Sequence, residues 1–280
     1  TINAEPVTDP AVGPIAGGAN LSEVLDLDAL WLRFSDPRPP TTKGIFDWIG
    51  DFYPFGSFPS GPPPHVPVVA TPVNSDGFRA GPIEWAAFAL AVQLTIDESG
   101  PASMIECGAS QGLWALPWIR VLGSAPAKKS KNPLRRNVTA LAIEASASQI
   151  QAREFWEAQD LGVQGTVNGK DLRFRDKQWE ANWIQRAVVA KDGPVFFPKI
   201  SVDTDNGAQA TDSTSDIDVR GMPVEYDRVE GVRLGSLISR QDYLDFLHLD
   251  LQGTELEMLR SGEFECLRSR VGVVLLGTHS

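Results

Sequence analysis

From Gly81 to the end of the chain, short runs that are apolar on both faces alternate with amphipathic stretches, and this pattern constrains the fold most. Strands buried on both faces need helices on both sides of the sheet, which is the arrangement of a parallel α/β layer structure. The expected strands are "ASMIEC", "VTALAIEA", "NWIQRAVVA", "YLDFLHLDL" and "RVGVVLLGTHS". The stretch "GPIEWAAFALAVQLTIDES" predicts a helix with Pro82 in its first turn and Ile83, Trp85, Ala86, Phe88, Ala89, Val92 and Leu94 on a broad apolar face. Further helices are expected at "LWALPWIRVLGS", "SASQIQAREFWEAQDL", "RLGSLISRQ" and "GTELEMLRSGEFECL", the last closed by Gly262. "KDGPVFFPK" predicts a turn and a hairpin arm, and the polar residues 203–218 a loop.

Residues 1–80 differ in texture and hold most of the 21 prolines, which remove backbone donors and disfavour helix in the preceding residue. They are expected to form an extended arm, with short helices at residues 20–34 and 41–55. The second segment is dense in aromatics, from Phe46 and Trp48 to Phe52, Tyr53, Phe55 and Phe58, and needs a surface to pack on. The globular domain is residues 81–280.

With 36 acidic against 25 basic residues and a net charge of -11, the overall field repels phosphate backbones and anionic membranes. Neither nucleic acid nor membrane is an expected partner. Cys107 and Cys266 lie far apart without companion ligands, so no metal site or disulfide framework is expected, and the thiols read as reduced and cytoplasmic.

Parallel α/β sheets bind ligands at the carboxyl ends of their strands, near the point where strand order reverses. At the end of the first expected strand stand Glu106, Gly108, Ala109, Ser110 and Gly112, ahead of a helix. Two glycines allow a tight turn and a close ligand approach but are not the three-glycine dinucleotide fingerprint. Glu144 ends the second strand, where a carboxylate can accept both hydroxyls of a ribose. Glycine loop and acid together point to a nucleoside cofactor. Asp250 ends the fourth strand, with His248 on the same strand face and Glu255 one helical turn further on. His248 reads as a buried, hydrogen-bonded histidine, and Glu255 as either a first-turn acid or a weak candidate base.

Four motifs in this order resemble the FkbM-like branch of the S-adenosylmethionine-dependent methyltransferases: "IECGASQGLW", "ALAIEAS", "DFLHLDLQGTELEML" and "LLGTHS". The resemblance covers roughly Pro82 to Ser280 and implies a Rossmann-like, three-layer αβα methyltransferase domain with a mainly parallel sheet. It implies S-adenosyl-L-methionine over Gly108–Gly112, its ribose on Glu144 and its methionine end near Glu106 and Asp250, with Trp114, Ala145 and Gln252 completing the set. The implied reaction is O-methylation of a small molecule or sugar, releasing S-adenosyl-L-homocysteine, with Asp250, His279 or Glu255 as base. The chain departs from the family in having Ala145 and Ser146 after the second-strand acid, and no acid at the third strand's end. The family fold continues with a helix and a final antiparallel pair, so the domain is expected either to be truncated after the fifth strand or to have its sheet edge covered by the arm or by a homodimer partner. A catalytically silent binding module and a nucleotide-dependent oxidoreductase are the alternatives.

Overall fold

The computed structural model describes residues 44–46, 52–54, 82–97, 100–110, 112–123, 137–151, 161, 163–199, 208–217, 223–260 and 264–277. The expected helix at 20–34, most of the helix at 146–161, Gly262 and His279 lie outside them.

Within the arm the expected helix at 41–55 is replaced by two short strands, β1 (Gly44–Phe46) and β2 (Phe52–Pro54), paired antiparallel with Phe46 opposite Phe52. Aromatic residues favour a pleated surface, and Pro54 at the strand end supplies no amide to a helix.

The main body is built on a seven-stranded sheet. In chain order its elements are α1 (Pro82–Asp97), β3 (Ala102–Cys107), α2 (Ala115–Trp118), β4 (Val138–Glu144) and α3 (Ala147–Ile150). The hairpin β5 (Thr166–Asn168) and β6 (Asp171–Arg175) follows, then β7 (Trp179–Gln185). Next come β8 (Ala187–Val188), β9 (Gly193–Pro198), β10 (Tyr226–Val232) and α4 (Leu234–Ile238), and the chain continues through β11 (Leu244–Leu249), α5 (Glu255–Met258), α6 (Phe264–Arg270) and β12 (Val271–Leu276). The sheet order is β12-β11-β3-β4-β7-β6-β5. Its first five strands are parallel, and β6 and β5 continue antiparallel.

Four of the five expected strands are present as read, the third instead runs Trp179–Gln185 with Ala187 and Val188 passing to another sheet, and helices cover both faces. Met104, Ala140, Trp183 and Phe246 turn toward α1 and α2, where they pack with Trp85, Phe88, Trp114 and Trp118. The alternate residues Ile105, Cys107, Ile143, Leu247 and Leu249 pack with Leu234, Leu237, Ile238, Met258 and Leu267 of α4, α5 and α6. Period-two alternation thus feeds two cores from one sheet. On α1 the residues Trp85, Phe88, Ala89 and Val92 are buried at helical spacing, whereas Leu94 is half exposed.

Two features go beyond the expected elements, although β9 lies in the run "KDGPVFFPK" expected to form a hairpin arm. Residues 166–175 form a hairpin whose turn carries Gly169 at φ 64, between Asn168 and its partner Asp171. The chain then leaves the main sheet after Gln185 and builds a second, three-stranded sheet in the order β8-β10-β9 before α4 returns it to β11. Ala187, Val195, Phe197 and Val229 form a small core of this insert.

Candidate functional site at the carboxyl edge of the sheet

The register aligns the strand ends. Leu276, Leu249, Cys107, Ile143 and Ile184 are successive partners across the five parallel strands. The next residue on each strand therefore forms one row: Gly277, Asp250, Gly108, Glu144 and Gln185. Strand order reverses at β3, since β4 follows it on one side and β11 lies on the other. Ligand crevices open at such a point.

The glycine loop sits at this reversal. Gly108, Ser110 and Gly112 all have positive φ, at 74, 49 and 88. Gly108 packs so closely on the Asp250 carbonyl that a Cβ would overlap it, and Gly112 faces the Trp183 indole, where a Cβ would lie 2.6 Å from the ring. The loop amides are committed internally. Gly108 and Ala109 donate to the Ile143 carbonyl at 2.9 and 3.0 Å, and Gly112 donates to the Ala109 carbonyl at 2.7 Å. Ser110 donates its amide to Glu144 Oε2 at 2.7 Å and its hydroxyl to Gln149 at 3.2 Å. Ala109 is fully buried, so it lies under the loop.

Glu144 holds the loop from the neighbouring strand. Its other oxygen, Oε1, accepts the Ser146 amide at 2.7 Å. Burial pushes its carboxyl above the ordinary carboxylate range, against the lowering effect of backbone amides from Ser146, Ser110 and Ala145. A carboxylate has about four acceptor positions, so these bonds leave capacity for further donors. Ala145 packs with the insert, and its carbonyl accepts the Gln185 side-chain amide at 3.0 Å.

Asp250 lies at the other side of Gly108, partly exposed, and its Oδ1 accepts the Gln252 side-chain amide at 2.9 Å. Gln252 adopts φ 60 and Gly253 φ 111, so the loop after β11 turns sharply. Glu255 reaches back over that turn, accepting the Leu251 amide at 2.6 Å and the Gly253 amide at 2.9 Å. Buried and engaged at both oxygens, Glu255 shapes the loop.

Glu106 and Trp114 are enclosed by their surroundings. Glu106, expected at the cofactor's methionine end, is fully buried and accepts the Trp114 amide at 2.9 Å and the Ala115 amide at 2.8 Å. It satisfies two of the orphan donors that open α2. The Trp114 ring, also fully buried, packs on Trp85, Phe88 and Phe246 within the core, so no face of it is open to a ligand. His248 lies beneath them, its Nδ1 3.8 Å from Glu106 Oε1 and its ring 5.9 Å from that of Trp114. Burial lowers its pKa to about 3, so it is neutral. Nδ1 makes no hydrogen bond among the described residues.

Gln149, Gln185 and Gln209 join the edge without having been singled out in the sequence. Gln209, from the insert, donates its side-chain amide to the Gln252 carbonyl and lies against Gly253. Among the described residues no group of three or more His, Cys, Asp or Glu side chains is placed to hold a metal ion. No helix among them is long and apolar enough to cross a membrane. Comparison of the chain with family models, curated proteins and solved structures gave no match.

Proposed function

We propose that the chain is an S-adenosylmethionine-dependent methyltransferase of the FkbM-like kind, acting on a hydroxyl of a small molecule or sugar. One observation carries the reading. The amides of Gly108, Ala109, Ser110, Gly112, Trp114 and Ala115 are all bonded within the protein, while carboxylates stand on both sides of the loop at Glu144 and Asp250. β4 and β11 flank β3, so these acids sit about 9–10 Å apart. An edge that offers acceptors suits a ligand that brings donors at both ends. S-adenosylmethionine does so, with a ribose diol and an α-ammonium. A dinucleotide brings a pyrophosphate, which needs free loop amides and is repelled by flanking carboxylates. The strand order, with reversal at β3, supports a Rossmann-like arrangement around the same point.

In this reading Glu144 accepts the ribose hydroxyls, Asp250 faces the ammonium, and the loop from Gly108 to Gly112 lets the ligand approach the backbone closely. The bound cofactor supplies an electrophilic methyl group on its sulfonium. The protein's part is to orient the acceptor oxygen and exclude water, with Asp250 or His279 taking the hydroxyl proton. Calorimetry tests the reading directly. S-adenosylmethionine should bind and NAD should not, and Glu144→Ala should weaken binding at least tenfold. Absence of S-adenosylmethionine binding by the intact chain, or affinity unchanged in Glu144→Ala, overturns it.

A further inference from the structure

The insert of β8, β9 and β10 touches the edge at two separated points. Ala145, one residue beyond Glu144, packs with Ala187, Val195 and Val229 of the insert. On the far side of the glycine loop, Gln209 donates to the Gln252 carbonyl, and Gln252 in turn donates to Asp250 Oδ1 at 2.9 Å. β3 lies between β4 and β11 in the sheet, so an element anchored beyond both of those strands bridges the end of β3. The anchoring segment is itself fixed to the insert, since Thr211 exchanges backbone hydrogen bonds with Phe196 of β9 at 2.8 and 2.9 Å.

We infer that the insert is a clasp across the carboxyl edge, and that Gln209 is the positioning residue that closes it. Its N–H is the one hydrogen-bond donor the described insert directs at the loop after β11, and its acceptor is a carbonyl in a backbone turn of positive φ. Glu255 holds the amides of Leu251 and Gly253, so the turn that presents this carbonyl is itself fixed. The bond therefore ties the position of the insert to the carboxylate of Asp250 through one intervening side chain. For a ligand seated between Glu144 and Asp250, opening the clasp is the step that admits and releases it. This second part rests on the methyltransferase reading, whereas the clasp itself does not.

Gln209→Glu tests both parts, since it keeps the side-chain length but removes the donor and sets a carboxylate against a carbonyl. Hydrogen exchange on the ligand-free full chain should show the amides of residues 251–253 and 208–211 exchanging at least tenfold faster, with those of β3, β4 and β11 unchanged. Gln209→Ala should behave alike, and Gln209→Lys, which restores a donor, should recover part of the protection. Unchanged exchange at 251–253 in both Glu and Ala variants overturns the clasp. Stopped-flow binding of S-adenosylhomocysteine then tests access. Association and dissociation rates should both rise about tenfold with Kd held within threefold; unchanged rates, or a change in Kd carried by one rate alone, overturns gating. A chain that binds no S-adenosylhomocysteine removes the cofactor reading and the gating with it, and leaves the exchange result to decide the clasp.

Discussion

Glu144 Oε2 accepts the Ser110 amide at 2.7 Å, so the end of one strand holds the glycine loop of its neighbour. Burial of that carboxyl, which outweighs the lowering effect of the bond, has a pH signature. A carboxyl whose folded-state pKa is raised binds its proton more tightly in the folded protein than in the unfolded chain. Its contribution is full below 4.5, the ordinary value, and is lost as pH rises through the higher folded value. Chemical denaturation from pH 4.5 upward should show Glu144→Gln lacking the decline that the parent protein shows.

His248 should give the opposite slope. With its pKa lowered from 6.5 to about 3, the unfolded chain takes up a proton in that window while the folded protein does not. Stability from this group is present above 6.5 and is lost as pH falls toward 3, by at most about 1.4 kcal/mol per pH unit. His248→Phe should abolish that slope. Urea titrations of the two proteins at pH 5 and pH 7 measure it.

The two loop glycines should tolerate substitution far worse than a glycine in open space. Gly108→Ala adds a Cβ into the Asp250 carbonyl at φ 74 and should cost about 3–4 kcal/mol or prevent folding. Gly169→Ala meets only the strain of φ 64, with nothing near its Cβ, and should cost about 1–2 kcal/mol. Thermal denaturation of the pair separates clash from backbone strain.

Glu106→Ala should destabilise by about 2–5 kcal/mol, because it leaves the Trp114 and Ala115 amides buried without their acceptor. A direct ligand role predicts a different result: little change in stability and loss of S-adenosylmethionine binding. Denaturant midpoints and calorimetry on the same variant distinguish them.

The parts of the fold that were legible share a cause. Runs such as "YLDFLHLDL" are apolar on both faces only if helices cover both, and the strand ends that carry Glu144 and Asp250 follow from where those runs stop. What Glu106 and Glu255 do was not legible, because each serves backbone amides that a residue letter does not reveal. The insert was hidden for another reason. β9 and β10 pair across some thirty residues, from Gly193 with Gly231 to Pro198 with Tyr226, and neither run signals that distance. The hairpin at β5 and β6 did have a signal in Asn168-Gly169, a pair that favours tight turns with positive φ. At 41–55 the aromatic density suited strands better than the helix first read there.

The insert departs after Gln185 and rejoins the scaffold at Arg233, and the two junctions are bonded to each other. Val189 donates to the Val232 carbonyl at 3.1 Å, and Arg233 donates its amide to Asp192 at 2.8 Å. Its small core takes in Ala145 from the scaffold, and Val188 of β8 reaches the core between the large sheet and α4 to α6. The region is stapled at its own base, and the register that aligns Glu144, Gly108 and Asp250 is set by the strands of the large sheet.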